Sequence, residues 1–292
     1  MKIIQRAKDY FYILRKGRKT KEVDQVRHLW TERGGDYYEL QEKMLAEKGN
    51  SYFAQDELFN FIAKGEFYTI LELGSGYGWN IKRLFKEYPG KNIVGIDFSR
   101  PQLLKSRVYP EIWDSNRVII LEGDITNMGL ADKCIDISFS LGILMNIPPS
   151  NILKGLKEII RVTRKRIILF EYFIPYCENK EFIKAAKKHP YIFSHDYEKM
   201  MKKLGCKLIC LDENRGTPSD RYTFYEFSMP IEHFESPLPP EFNRLKIIAC
   251  TKCKGTLIET KKGLVCESCG LLYAVEDNLP DMVLSKAKSI VV

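Results

Sequence analysis

The sequence predicts an α/β fold: a Rossmann-like, seven-stranded, mostly parallel sheet that ends in an antiparallel hairpin, followed by a small cysteine-held domain. Three observations carry that expectation. From about residue 67, short apolar runs rich in β-branched residues alternate with segments of helical periodicity. A glycine-rich stretch, "ELGSGYG" (72–78), stands where the first run meets the first helix. Two Cys-x-x-Cys pairs lie near the C-terminus, twelve residues apart.

The elements follow in order. "YTILELG" (68–74) reads as a strand and "WNIKRLFKEY" (79–88) as a helix stopped by Pro89. "NIVGIDF" (92–98) is a strand and "RPQLLKSRVY" (100–109) a helix. "RVIILEGDI" (117–125) and "CIDISFSLGIL" (134–144) are strands. "SNILKGLKEIIRVT" (150–163) is a helix opened by a Ser/Asn cap, and "KRIILFEYF" (165–173) a strand. "DYEKMMKKLG" (196–205) is a helix with Gly205 closing it. "CKLICLDE" (206–213) and "RYTFYEFSM" (221–229) complete the sheet as a hairpin. Near-continuous apolar strands call for helices on both faces. "ESPLPPEF" (235–242) is a proline-rich break. The expected organisation is a basic N-terminal arm (1–28), a main domain (29–234), a linker (235–240) and a tail domain (241–292).

A chain of 292 residues, 45% hydrophobic, can bury one large core and one small one, which excludes wholesale disorder. The net charge of +8 permits an anionic partner without requiring one. Residues 2–27 are rich in Lys and Arg, with Ile3, Ala7, Tyr10, Phe11 and Leu14 at helical spacing. That segment has no continuous apolar core of the kind a secretory signal needs. No apolar stretch reaches membrane-spanning length; "RIILFEYFIPY" is broken by Glu171 and Pro175. Cys134, Cys177, Cys206 and Cys210 are scattered among apolar residues and read as small core side chains. The cysteine pattern predicts a reduced, cytoplasmic protein with no membrane insertion.

The glycine run departs from the dinucleotide pattern G-x-G-x-x-G, because Trp79 holds the place of the third glycine. The pattern is E-x-G-x-G-x-G, on Glu72, Gly74, Gly76 and Gly78. Asp97 ends the next strand, where an acid can accept both hydroxyls of a ribose. Asp124 follows the third strand. At these residues, over about 67–230, the chain resembles the class I S-adenosylmethionine-dependent methyltransferases. The resemblance implies that Glu72 and the loop Gly74, Ser75, Gly76 and Gly78 hold a methionine moiety. It implies that Asp97 holds the ribose, that Phe98 lies near the adenine, and that Asp124 and Ile125 frame the base. The alternative is a Rossmann-like domain that binds another nucleotide or none.

"SLGILMNIPPSNI", "RIILFEYFIP" and "HPYIFSHDYEKMM" resemble the methylases associated with pseudaminic acid biosynthesis, and "LWTERGGDYYE" (29–39) resembles their N-terminal cap. Methyl transfer from a sulfonium needs orientation and desolvation, and a hydroxyl acceptor would also want a base. Glu171, Tyr172 and His195 are the catalytic candidates, with Asn146 and Asp196 on the acceptor side. For each, the plain alternative is a hydrogen-bonded structural role.

Cys250, Cys253, Cys266 and Cys269 have the C-x2-C-x12-C-x2-C spacing of a zinc ribbon, which brings four thiolates into tetrahedral reach; disulfides are the alternative. "LKIIACTKCKGTL…LVCESCGLLYAVEDNLPDMV" resembles the zinc-ribbon activator subunits of tRNA, rRNA and release-factor methyltransferases. That implies structural zinc in a tail that docks on the main domain in cis. Leu271, Leu272, Tyr273 and Val275 are expected to cover apolar surface or an exposed strand edge of the main domain, with Phe224, Phe227 and Met229 marking apolar surface near its end. The function expected is methyl transfer to a small molecule, such as a sugar or glycan precursor. An RNA or translation-protein acceptor is the alternative, and a non-catalytic cofactor-binding scaffold the second alternative.

Overall fold

The computed structural model describes residues 22–47, 52–172, 193, 195–215, 222–230 and 241–290. Cys177, the linker 235–240 and residues 1–21 of the basic arm fall outside them. The main sheet has seven strands: β1 (Thr69–Leu73), β2 (Asn92–Asp97), β3 (Val118–Glu122), β4 (Ile135–Leu141), β5 (Thr163–Tyr172), β6 (Lys207–Arg215) and β7 (Tyr222–Ser228). Their order is β3-β2-β1-β4-β5-β7-β6, parallel except for β7, which runs antiparallel between β5 and β6. Every residue of β1 and β2 is buried, as central strands covered on both faces require.

Helices α1 (Glu22–Glu47), α2 (Phe53–Ile62), α3 (Trp79–Glu87), α4 (Arg100–Lys105), α5 (Pro110–Trp113), α6 (Ile152–Val162) and α7 (Tyr197–Lys203) surround the sheet. α1 is one continuous helix, so the boundary expected between residues 28 and 29 falls inside it. The local reason is the unbroken run from Glu22 to Glu47, which lacks proline. The expected cap at the start of α6 is also absent as a side-chain bond: Asn151 occupies the cap position without accepting one. Asp196 does cap α7, accepting from Lys199 N at 2.9 Å.

One apolar layer joins α2, Ile70, Ile81, Phe139 and Phe224; the other joins Leu71, Val94, Leu156 and Tyr225. The second layer continues into the tail through Ile247, Ile248 and Met282, all buried. The tail comprises α8 (Arg244–Ile247) and a four-stranded sheet of β8 (Leu257–Thr260), β9 (Gly263–Cys266), β10 (Leu271–Tyr273) and β13 (Lys288–Ser289). A short ladder of β11 (Val275–Glu276) and β12 (Leu279–Pro280) completes it.

The tail meets the main sheet at β3, the edge opposite the hairpin. Met282 N donates to Glu122 O at 2.8 Å, and Glu122 and Asp281 form a parallel bridge. Ala249 N donates to Gly129 O at 3.0 Å and Ala131 N to Ile247 O at 2.9 Å. Of the two expected seats, the exposed strand edge is the one the tail takes, and the apolar surface near the hairpin is not. Phe224, Phe227 and Met229 are already buried in the main domain's own core, and Tyr273 is buried inside the tail. The unpaired edge of β3 instead supplies open backbone groups, which a strand can satisfy.

Candidate active site and metal centre

The carboxyl ends of β1, β2 and β4 and the loop after β3 open onto one cleft of about 340 Å³. This is where an open α/β sheet offers a crevice. Gly74 leaves β1 with φ +69°, and a Cβ there would lie 2.7 Å from the Ile143 side chain. Gly76 has φ +51°, and its Cβ would lie 2.8 Å from Gln102 Oε1. Handedness demands glycine at both positions, and at Gly74 the packed Ile143 side chain leaves no room either.

Glu72 lies at the cleft with 3% exposure. Its Oε1 accepts from Asn80 Nδ2 at 2.6 Å, and Asn80 Oδ1 accepts from Gln55 Nε2 at 2.7 Å. Its Oε2 is buried without a hydrogen-bond partner, as is Ser75 Oγ. Burial pushes the Glu72 carboxyl up to about 8. Asp97 shapes the loop itself: Oδ2 accepts from Gly76 N at 2.9 Å and Oδ1 from Ser99 N at 2.7 Å. Burial raises it to about 6 against the pull of those amides. Phe98, Ile125 and Asp124 also line the cleft. Asp124 Oδ1 accepts from Thr126 N at 2.9 Å and Thr126 Oγ1 at 2.8 Å, while Oδ2 is paired with Arg27 of α1.

α1 roofs this cleft with Val26, Trp30, Tyr37, Leu40 and Met44, and Tyr52 and Trp79 stand at its side. The sequence reading had 29–39 as a cap segment but missed Arg27, Leu40, Met44, Tyr52, Trp79 and Gln102. Their spacing in α1, from Val26 and Arg27 through Trp30 to Tyr37, Leu40 and Met44, was a signal available for the helical part.

In the tail, the Sγ atoms of Cys250, Cys253, Cys266 and Cys269 all lie within 4.8 Å of one another. Cys250 and Cys269 are 3.6 Å apart and Cys253 and Cys266 3.5 Å. Four ligands around one ion at about 2.3 Å give separations of this size. Each knuckle turns through a left-handed residue just after its second cysteine, Lys254 (φ +58°) and Gly270 (φ +65°). The thiol set thus fits a closed, structural zinc site, with no position left for a reacting ligand.

The description "Methyltransferase domain" matches residues 70–166 and "Trm112p-like protein" matches residues 244–278. A UPF0434 protein of Baumannia cicadellinicola subsp. Homalodisca coagulata is 40% identical over 52 residues, which cover 96% of that protein and 18% of this chain. One from Stutzerimonas stutzeri (strain A1501) is 42% identical over 48 residues, 79% of that protein and 16% of this chain. Residues 70–166 form a methyltransferase domain, and the tail belongs to the UPF0434 proteins. Two solved structures share the fold. A chain from the complex between the Haloferax volcanii Trm112 methyltransferase activator and a methyltransferase aligns with TM-score 0.52 at 16% identity, covering 69% of this chain and 97% of that one. Magnesium protoporphyrin IX methyltransferase from Synechocystis PCC 6803 aligns with TM-score 0.54 at 15% identity, covering 73% and 99%.

Of the three catalytic candidates, Glu171 and His195 do not line the cleft. Glu171 is fully buried, and its carboxylate accepts three amides: Ile143 N at 3.1 Å, Leu144 N at 3.0 Å and Met145 N at 3.1 Å. Burial raises it to about 7. It acts as a staple under the wall formed by Ile143, Met145 and Asn146, and its oxygens face that loop. His195 Nε2 donates to Ile147 O at 2.8 Å behind the same wall, and burial lowers its pKa, so it stays neutral. Tyr172 ends β5 opposite Tyr222; its side chain lies outside the described atoms. Asn146 does line the cleft, with Oδ1 accepting from Trp30 Nε1 at 3.4 Å. Asp196 is spent on capping α7.

Proposed function

We propose that this cleft binds S-adenosylmethionine and that the methyl group passes to a small molecule enclosed beneath α1. The observation that carries the reading is the buried, unpartnered Glu72 Oε2 beside the glycine loop. An unpaired buried acceptor is costly, and a cationic ammonium group is the partner it lacks. Glu72, Gly74, Ser75, Gly76 and Gly78 would hold the methionine end, Asp97 the ribose, and Phe98, Asp124 and Ile125 the base. Bound there, the sulfonium supplies an already activated methyl group. The chain's own part is to orient the two reactants and exclude water under Trp30, Tyr37 and Met44. The aromatic faces suit the apolar face of a sugar ring, in keeping with the resemblance to pseudaminic-acid-associated methylases. Zinc in the tail is structural. The four thiol ligands require a reducing compartment, which supports a cytoplasmic location.

The test is calorimetry of zinc-loaded protein with S-adenosylhomocysteine, repeated on Asp97→Ala. Measurable binding that the substitution weakens supports the cofactor assignment; no binding sinks it. A screen with methyl-labelled cofactor, separating RNA, protein and small-molecule fractions, then locates the acceptor. The Trm112p-like tail favours RNA or a translation protein as the second reading. Label in those fractions would establish it over the first.

A further inference from the structure

We propose that Arg27 sets the cofactor affinity of the cleft, as a side-chain latch carried on α1. This rests on the cofactor reading above, in which Asp124 faces the adenine amino group. Asp124 has two carboxylate oxygens. Thr126 occupies Oδ1 through its backbone N and its hydroxyl, at 2.9 Å and 2.8 Å. Oδ2 is the oxygen left for a ligand, and the Arg27 guanidinium holds it. The guanidinium thus stands on the face of Asp124 that a donor on the adenine must approach, and the two compete for that position.

The latch is built to yield. Both side chains of the pair keep about a third of their surface in water, at 32% and 27% exposure. Ion pairs so exposed contribute little and are screened by salt. Polar ties near Arg27 on the same helix are long or lie at the surface. Trp30 O accepts from Ser99 Oγ at 3.3 Å and from Gln102 Nε2 at 3.5 Å, and Glu39 meets Lys105 at the surface at 2.8 Å. Val26, Leu29 and Leu45 of the same helix are all buried, so the movement that frees Asp124 is that of the Arg27 side chain. A ligand must displace Arg27 before it can reach Asp124.

The experiment uses the full zinc-loaded chain and S-adenosylhomocysteine. Association is followed by stopped-flow quenching of Trp30 and Trp79, which both line the cleft, and affinity by calorimetry. Arg27→Met, which keeps the apolar stem, should raise the association rate and tighten binding about threefold to tenfold. Arg27→Lys should behave like the parent. Raising salt should speed association for the parent and not for Arg27→Met. Weaker binding in Arg27→Met would mean that Arg27 is a ligand of the cofactor and overturns the latch, as does an unchanged rate and affinity. Absence of binding in every variant removes the cofactor reading itself, a result distinct from either.

Discussion

Asp97 ties the end of β2 to two amides, Gly76 N at 2.9 Å and Ser99 N at 2.7 Å, and so fixes the glycine loop from the neighbouring strand. Asp97→Ala removes both acceptors at once. Hydrogen bonds to a charged group contribute about 1.5–3 kcal/mol, so homocysteine-cofactor affinity should fall at least about tenfold, read by calorimetry. The buried carboxyls also set a pH response. Glu72, Asp97 and Glu171 are raised to about 8, about 6 and about 7, in each case mainly by burial. A carboxyl raised in the folded state holds its proton where the unfolded chain has lost it. The folded state then binds more protons, and stability falls as pH rises from about 4.5 through these values. Between pH 5.5 and pH 8.5 the melting temperature of zinc-loaded, cofactor-free protein should fall relative to that of zinc-loaded Glu72→Gln, a comparison in which the pH dependence of zinc binding cancels. No relative change over that range would show that this carboxyl is ionised at little cost.

The loop after β1 and the wall after β4 form one device, because Gly74 and Ile143 touch. A Cβ at Gly74 would press on Ile143 at 2.7 Å and would also sit at φ +69°. Strain of this kind costs about 1–3 kcal/mol, so Gly74→Ala should lower the melting temperature by several degrees and weaken cofactor binding together. Glu171 supports the same wall from beneath by three amide bonds. In Glu171→Gln, a side-chain NH2 replaces one acceptor and meets the Met145 or Ile143–Leu144 amides donor to donor. An unsatisfied buried donor costs about 1–3 kcal/mol, measurable as a shift in the urea midpoint. An unchanged midpoint would remove the staple role.

Across the whole molecule, the tail is part of the catalytic domain's core. Met282 is fully buried and sits where a Cβ on Gly129 would come within 2.9 Å of it. Lys254, beside the second zinc ligand of its knuckle, reaches Asn127 Oδ1 at 2.8 Å, Met128 O at 3.0 Å and Glu158 at 3.2 Å. Arg100 joins Glu122 to Glu276, both at 3.3 Å, and Lys286 meets Glu122. The segment carrying Asp124 is therefore held on both sides by the tail. Replacing Cys250 and Cys253 by Ser should abolish zinc content by elemental analysis and lower the melting temperature of the entire chain in one transition. Met282→Ala should cost about 2–5 kcal/mol as a buried cavity. Two separate melting transitions, the larger one unshifted, would show instead that the tail is an independent bead.

The sequence by itself determined the strand order's raw material, the glycine loop with Glu72 and Asp97, and the four zinc ligands. These are local signals: period-two and apolar runs, glycines at a strand–helix turn, and paired cysteines whose spacing sets their reach. Tertiary structure alone decided which polar groups are spent. Glu171 reads as a catalytic candidate and His195 as a candidate base because a one-dimensional pattern does not show that backbone groups from residues 143–147 satisfy them. The segment 29–39 reads as a cap, but the contact that places it does not show in one dimension, since Arg27 meets Asp124 across 97 residues of chain. The tail's seat on β3 follows from which sheet edge is left unpaired. That is a property of strand order, fixed only when all seven strands have assembled.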